Sequence, residues 1–147
     1  VIGRVTVPAT TEPFVVGEHL NIKKTKGGVK IWGLRNDFRE WCGDKTEEPM
    51  AKTQLLYAQP ILFFVDHIIR DELGKNAETT LTQIHYLLTL QPNGEEGVLL
   101  TNKRATSFFV DGRVVHVYWR VDGWGLGVHD IGDSNGWGDV RRVFFRA

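Results

Sequence analysis

From Arg113 to Asp130 the chain reads RVVHVYWRVDGWGLGVHD, two alternating runs on either side of Asp122-Gly123. Aspartate and glycine tolerate the positive φ of a tight two-residue turn, so this dipeptide predicts an antiparallel hairpin closed at residues 122 and 123. Such a turn fixes a register: Val121 opposite Trp124, Trp119 opposite Leu126, and Val117 opposite Val128. All six side chains then share one face, as a sheet packed beneath helices requires, whereas a slip of one residue would mix apolar with polar. Asp111-Gly112 signals a second hairpin, which sets Phe108 beside Val115 on the same buried face; Thr106 is its discordant polar member.

The opposite face carries the polar chemistry. The expected register puts His116 across from His129, with Ser107 beyond His116 on the neighbouring strand. It puts Tyr118 across from Gly127 and Arg120 across from Gly125, and the alternating glycines leave room above the sheet for these side chains or a docked group. Phe109 and Val114 fall on this face too, predicting an apolar patch beside polar groups, a pattern suited to a partner or a dimer interface.

Elsewhere the pattern is mixed. Val5-Thr6-Val7 precedes Pro8 and Phe14-Val15-Val16 follows Pro13, placements that suit strand edges and starts. Val29 to Leu34 alternates loosely, and Asn36 to Cys42 offers one helical turn stopped by Gly43. Pro60 and Gly74 bracket a predicted helix carrying Ile61, Val65, Ile68 and Ile69 at helical spacing. A second helix begins near Thr79-Thr80, sets Leu81, Ile84, Leu87 and Leu88 on one stripe, and ends before Pro92-Asn93-Gly94. The expectation is a single α+β domain over residues 1–147. Its parts are an irregular strand-rich N-terminal region, two central helices, and a C-terminal antiparallel meander of four to five strands covered on one face by those helices.

Lysine plus arginine equals aspartate plus glutamate at 18 each, which argues against a nucleic-acid partner, since such binders show a basic excess. Lys23-Lys24-Thr25-Lys26 before Gly27-Gly28 reads as a solvated turn. No apolar run approaches bilayer length, so no membrane partner is expected; no leader pattern is present, which says little about the compartment, left unknown with a cytoplasmic location weakly favoured. The lone Cys42 can form no internal disulfide and lacks an oxyanion framework around it, so it reads as a buried thiol.

Three constellations bear on function. His116 and His129, with Ser107 and Tyr118 nearby, are the candidate catalytic residues of a small acid–base or metal-assisted enzyme. As metal ligands His116 and His129 lack a third partner, because Asp130 points to the other face and zinc usually takes at least three. Asp133-Ser134-Asn135-Gly136 resembles part of a calcium loop but lacks the closing carboxylate and reads as a turn. Trp137, flanked by glycines, is the aromatic expected to be exposed, and would serve a carbohydrate site or a partner contact. No motif specifies a cofactor.

The stretch AETTLTQIHYLLTLQPNGEEGVLLTN (Ala77 to Asn102) and the ending NGWGDVRRVFF (Asn135 to Phe145) resemble a group of uncharacterised bacterial hypothetical proteins. These pair a TTL-helix-QPNGEEG-LL segment with a C-terminal GW…VFSR-like strand, and Phe145 stands where the serine would be. The resemblance implies one recurring domain and carries no activity or functional residue. The leading reading is therefore a non-enzymatic interaction or structural module, binding a protein partner or a second copy through Tyr118, Arg120, Phe109, Val114 and Trp137. The enzyme built on His116 and His129 is the alternative, and a carbohydrate module built on Trp137 a third.

Overall fold

A computed structural model of the chain describes residues 2–21, 28–59, 74–130 and 140–147. The expected helix after Pro60, the lysine cluster, the Asp133–Gly136 turn and Trp137 lie outside the described residues. The ordered elements are β1 (Gly3–Val7), β2 (Phe14–Val15), α1 (Val16–His19), β3 (Ile31–Leu34), α2 (Asn36–Cys42), β4 (Thr46–Glu47) and β5 (Thr53–Ala58). A 3-10 turn (Gly74–Ala77) and α3 (Leu81–Leu90) follow, then β6 (Ala105–Val110), β7 (Arg113–Arg120), β8 (Gly123–Asp130) and β9 (Val140–Arg146).

The α+β class holds, but the sheet is larger and more mixed than a meander. Seven strands run in the order β1-β5-β9-β6-β7-β8-β3, while β2 and β4 form a separate two-stranded ladder. Only β6-β7-β8 is the expected meander of sequential antiparallel strands. On either side of it β9 joins β6 in parallel and β3 joins β8 in parallel, so the four-to-five-strand antiparallel meander is corrected to three strands with parallel flanks. Hairpin turns specify only neighbours in sequence; parallel partners come from distant segments and leave no turn signal. β5, between β1 and β9, has no counterpart in the sequence reading; its TQLLYA run is short and weakly alternating.

The first hairpin closes as expected, with Asp111 and Gly112 both at positive φ and Phe108 opposite Val115. The second does not. Val121 and Asp122 form its loop, Arg120 pairs with Gly123, Trp119 with Trp124, and Val117 with Leu126. The strand has moved by two residues, which preserves the faces and changes every partner. This register sets the rings of Trp119 and Trp124 edge to face at 5.3 Å in the interior and leaves Val121, not a core residue after all, 84% exposed.

The larger core lies on the face carrying Phe108, Val115, Val117, Trp124, Leu126 and Val128, as expected. α3 covers it with Leu81, Ile84, Leu87 and Leu88, all buried. Its start is a full capping box: the Thr80 hydroxyl accepts from the Gln83 amide and the Gln83 side chain accepts from the Thr80 amide. The Glu47 carboxylate adds further acceptors there, taking the amides of Leu81 at 3.0 Å and Thr82 at 2.7 Å, where negative charge also suits the helix dipole. Thr106, discordant in the sequence, is buried with its hydroxyl accepting from the Leu100 amide at 3.1 Å.

The QPNGEEG stretch is structural. The Gln91 side chain copies a β-partner for Leu99, accepting from its amide at 2.9 Å and donating to its carbonyl at 3.0 Å. Its backbone carbonyl accepts from the Trp124 indole at 2.7 Å, and Gly94, at φ +74°, lies against the Trp119 ring. This braces the loop after α3 against the hairpin that bears the candidate site.

Candidate functional site

The three alternating glycines of β8 each lie against another part of the chain, the Lys30–Trp32 backbone at Gly123 and side chains at Gly125 and Gly127. A Cβ at Gly123 would stand 3.1 Å from that of Trp32, one at Gly125 would meet the Tyr118 ring, and one at Gly127 would meet the Arg35 stem. The space expected above Gly125 and Gly127 therefore exists, and the chain fills it. Trp32 comes from β3, and Arg35 from the residue that begins α2. The Arg120 guanidinium sits over the Trp32 ring at 4.9 Å and over the Tyr118 ring at 5.7 Å. The result is a row across β3, β8 and β7 that runs Trp32, Arg120, Tyr118, Arg35 and ends at two imidazoles.

Those imidazoles meet in a way the expected register did not give. His116 is opposite Gly127 and His129 opposite Val114, so the pair is diagonal, not directly opposed. The rings still reach one another, stacked at 4.4 Å between centroids, with His116 Nε2 2.5 Å from His129 Nδ1. On its other side His116 Nδ1 lies 2.6 Å from the Ser107 hydroxyl oxygen, the cross-strand partner that the first hairpin predicted. Burial pushes the His116 pKa down to about 3, with the charges of His129 and Arg35 adding to the effect.

This geometry limits the chemistry. A neutral imidazole donates from one nitrogen and accepts at the other, so Ser107, His116 and His129 link in series as a hydrogen-bonded chain. Two nitrogens bound to one tetrahedral zinc ion at ~2.0–2.1 Å would stand roughly 3.3 Å apart. His116 Nε2 and His129 Nδ1 hydrogen-bond to each other, and among the described residues no three of His, Cys, Asp and Glu are grouped to hold an ion. A general base works best with a pKa near the working pH, and His116 lies far below neutrality. Ser107 is only 1% exposed, so its hydroxyl does not front a substrate.

The apolar contact surface at Phe109 and Val114 is corrected. Both are fully buried, in a second core cluster with Ala77, Ala105 and Val143. Segment 74–79 lies along β6 there: Glu78 bridges to Phe109 in parallel, and the Thr79 amide and hydroxyl both donate to the Phe109 carbonyl at 2.8 and 3.0 Å. The sheet is thus covered on this part of its second face as well. Tyr118 and Arg120 remain at the surface, half-buried and exposed respectively.

Sequence reasoning missed Trp32 and Arg35. Their signal was the glycine spacing itself, because a strand with no side chains at three successive positions of one face calls for covers from elsewhere. Cys42 is buried with its thiol donating to the Phe38 carbonyl at 3.1 Å, and burial pushes its pKa up to about 12. No helix among the described residues is long and apolar enough to cross a membrane. No protein-family model, curated protein or solved structure matches the chain.

Proposed function

We propose that this domain is a non-catalytic binding module for a protein partner, and that its contact surface is the row of Trp32, Arg120 and Tyr118. The observation that carries the reading is Arg120, stacked against two rings and making no ion pair among the described residues. Tryptophan, tyrosine and arginine are the side chains enriched at energetic centres of interfaces, because they combine large contact area with polar ends. Trp32, at 47% exposure, and Val121, at 84%, add apolar surface beside the cation.

The test is cross-linking from the turn. A photoreactive benzoylphenylalanine in place of Val121 is expected to give a discrete protein adduct in extract of the source cells. Arg120→Glu or Trp32→Ala should abolish that adduct while leaving the melting temperature unchanged. An adduct indifferent to both substitutions, or none, would remove this surface as the binding site.

A further inference from the structure

We infer that the partner segment seated on this row carries a carboxylate, gripped by Arg120, next to an apolar residue that packs on Trp32. The inference rests on the binding reading above and names the chemistry of its occupant.

Charge complementarity is the argument. On this face β7 presents Val114, His116, Tyr118 and Arg120, and β8 presents Gly123, Gly125, Gly127 and His129, with no acidic residue among them. Arg35 and Arg120 make no ion pair among the described residues. Beyond this face, Arg113 bonds Asp130 at 3.0 Å and Lys45 bonds Asp111 at 3.0 Å. His116, whose pKa burial pushes down to about 3, adds no positive charge to this face at neutral pH.

Shape selects the kind of anion. A guanidinium is planar and presents paired N–H groups, which can meet a planar carboxylate with two parallel hydrogen bonds. A polyanion such as nucleic acid would call for a basic excess that a chain with 18 cationic and 18 acidic residues does not have. Exposed Trp32 and Val121 flank the cation and favour a mixed acidic–apolar peptide over a free inorganic anion.

The experiment is an NMR titration of the full chain, following the Trp32 indole N–H and the Arg120 Nε–H. The probes are acetyl-Phe-Glu-Glu-Phe-amide, its Phe-Gln-Gln-Phe counterpart, and inorganic phosphate. Saturable shifts at both reporters with the acidic peptide alone are expected. Arg120→Gln should weaken the Trp32 response roughly tenfold, as for loss of a charge-assisted bond, and Arg120→Lys should weaken it less. Equal shifts with the glutamine peptide would overturn the carboxylate, as would phosphate matching the peptide. Silence with all three probes also overturns it. If an Arg120-dependent cross-linked adduct still forms in that case, the carboxylate falls and the binding module stands; if the adduct is absent too, both fall.

Discussion

A histidine held between a serine hydroxyl and a second imidazole has nowhere to place an added proton without breaking a hydrogen bond and burying a charge. Burial first, and then the charges of His129 and Arg35, lower the folded pKa of His116 to about 3 against an ordinary value of 6.5. The sign follows from which state binds the proton. Below pH 6.5 the unfolded chain takes up a proton that the folded chain refuses, so this contribution is complete above 6.5 and is lost steadily as pH falls toward 3. At pH 5 the loss amounts to about 2 kcal/mol for this one group. Urea unfolding at pH 7 and pH 5 is expected to show that decline, and His116→Gln to flatten it. An unchanged slope in the variant would mean that other groups carry the acid sensitivity. Cys42 offers a second residue-scale check, because its thiol is buried and its pKa is pushed up to about 12. A disulfide reagent at pH 8 should label it only as fast as the protein opens, with urea accelerating the reaction; rapid labelling of native protein would contradict the burial.

Among the elements, α3 and strand β8 show what a sequence discloses and what it withholds. The α3 stripe of Leu81, Ile84, Leu87 and Leu88 was legible because helical spacing and a threonine start are local signals, and all four residues are buried where expected. The role of Gln91 was not, because a side chain that substitutes for a strand is defined only by the backbone it meets. Gln91→Leu should leave the amide and carbonyl of Leu99 unpaired in the interior, costing about 3 kcal/mol. Thermal melting should register this as a fall of roughly 10 °C for a domain of this size. On β8 the glycines were visible but their covers were not, and they are not equivalent. At Gly125 an added Cβ meets the outer atoms of the Tyr118 ring, which can swing aside. At Gly123 it meets the Trp32 backbone nitrogen at 2.7 Å and the Lys30 carbonyl at 2.8 Å, with φ at +148°. Gly123→Ala is therefore expected to cost about 2 kcal/mol or more, and Gly125→Ala under about 1 kcal/mol. Gly125→Ala should nevertheless shift Tyr118 and Arg120 signals in the NMR spectrum. Equal destabilisation by the two would show that the Trp32 strand yields as readily as a side chain.

For the molecule as a whole, what could be read from the chain divides by sequence distance. The faces of β7 and β8 were legible because alternation survives any even shift, and the true register differs from the expected one by two residues. The loop position was misread because Asp122-Gly123 is a strong local turn signal. A remote contact accompanies the actual register: the Trp124 amide donates to the Lys30 carbonyl at 2.8 Å, beside the pairing of β8 with β3. The same division should govern how the protein folds. β6, β7 and β8 close through two-residue turns, whereas β3 reaches β8 by pairing Ile31 with Trp124 across most of the chain. Closing that long loop costs entropy before any contact offsets it, so the meander should be organised in the folding transition state and β3 should dock late. Val115 and Ile31 are both buried on the larger core, one in the meander and one in β3, and both can be truncated to alanine. In a denaturant chevron, Val115→Ala is expected chiefly to slow folding and Ile31→Ala chiefly to speed unfolding. Should Ile31→Ala slow folding as much as Val115→Ala does, the long-range parallel pair belongs to the nucleus. The register of the second hairpin would then be chosen by β3 at the outset instead of being locked in by it at the end.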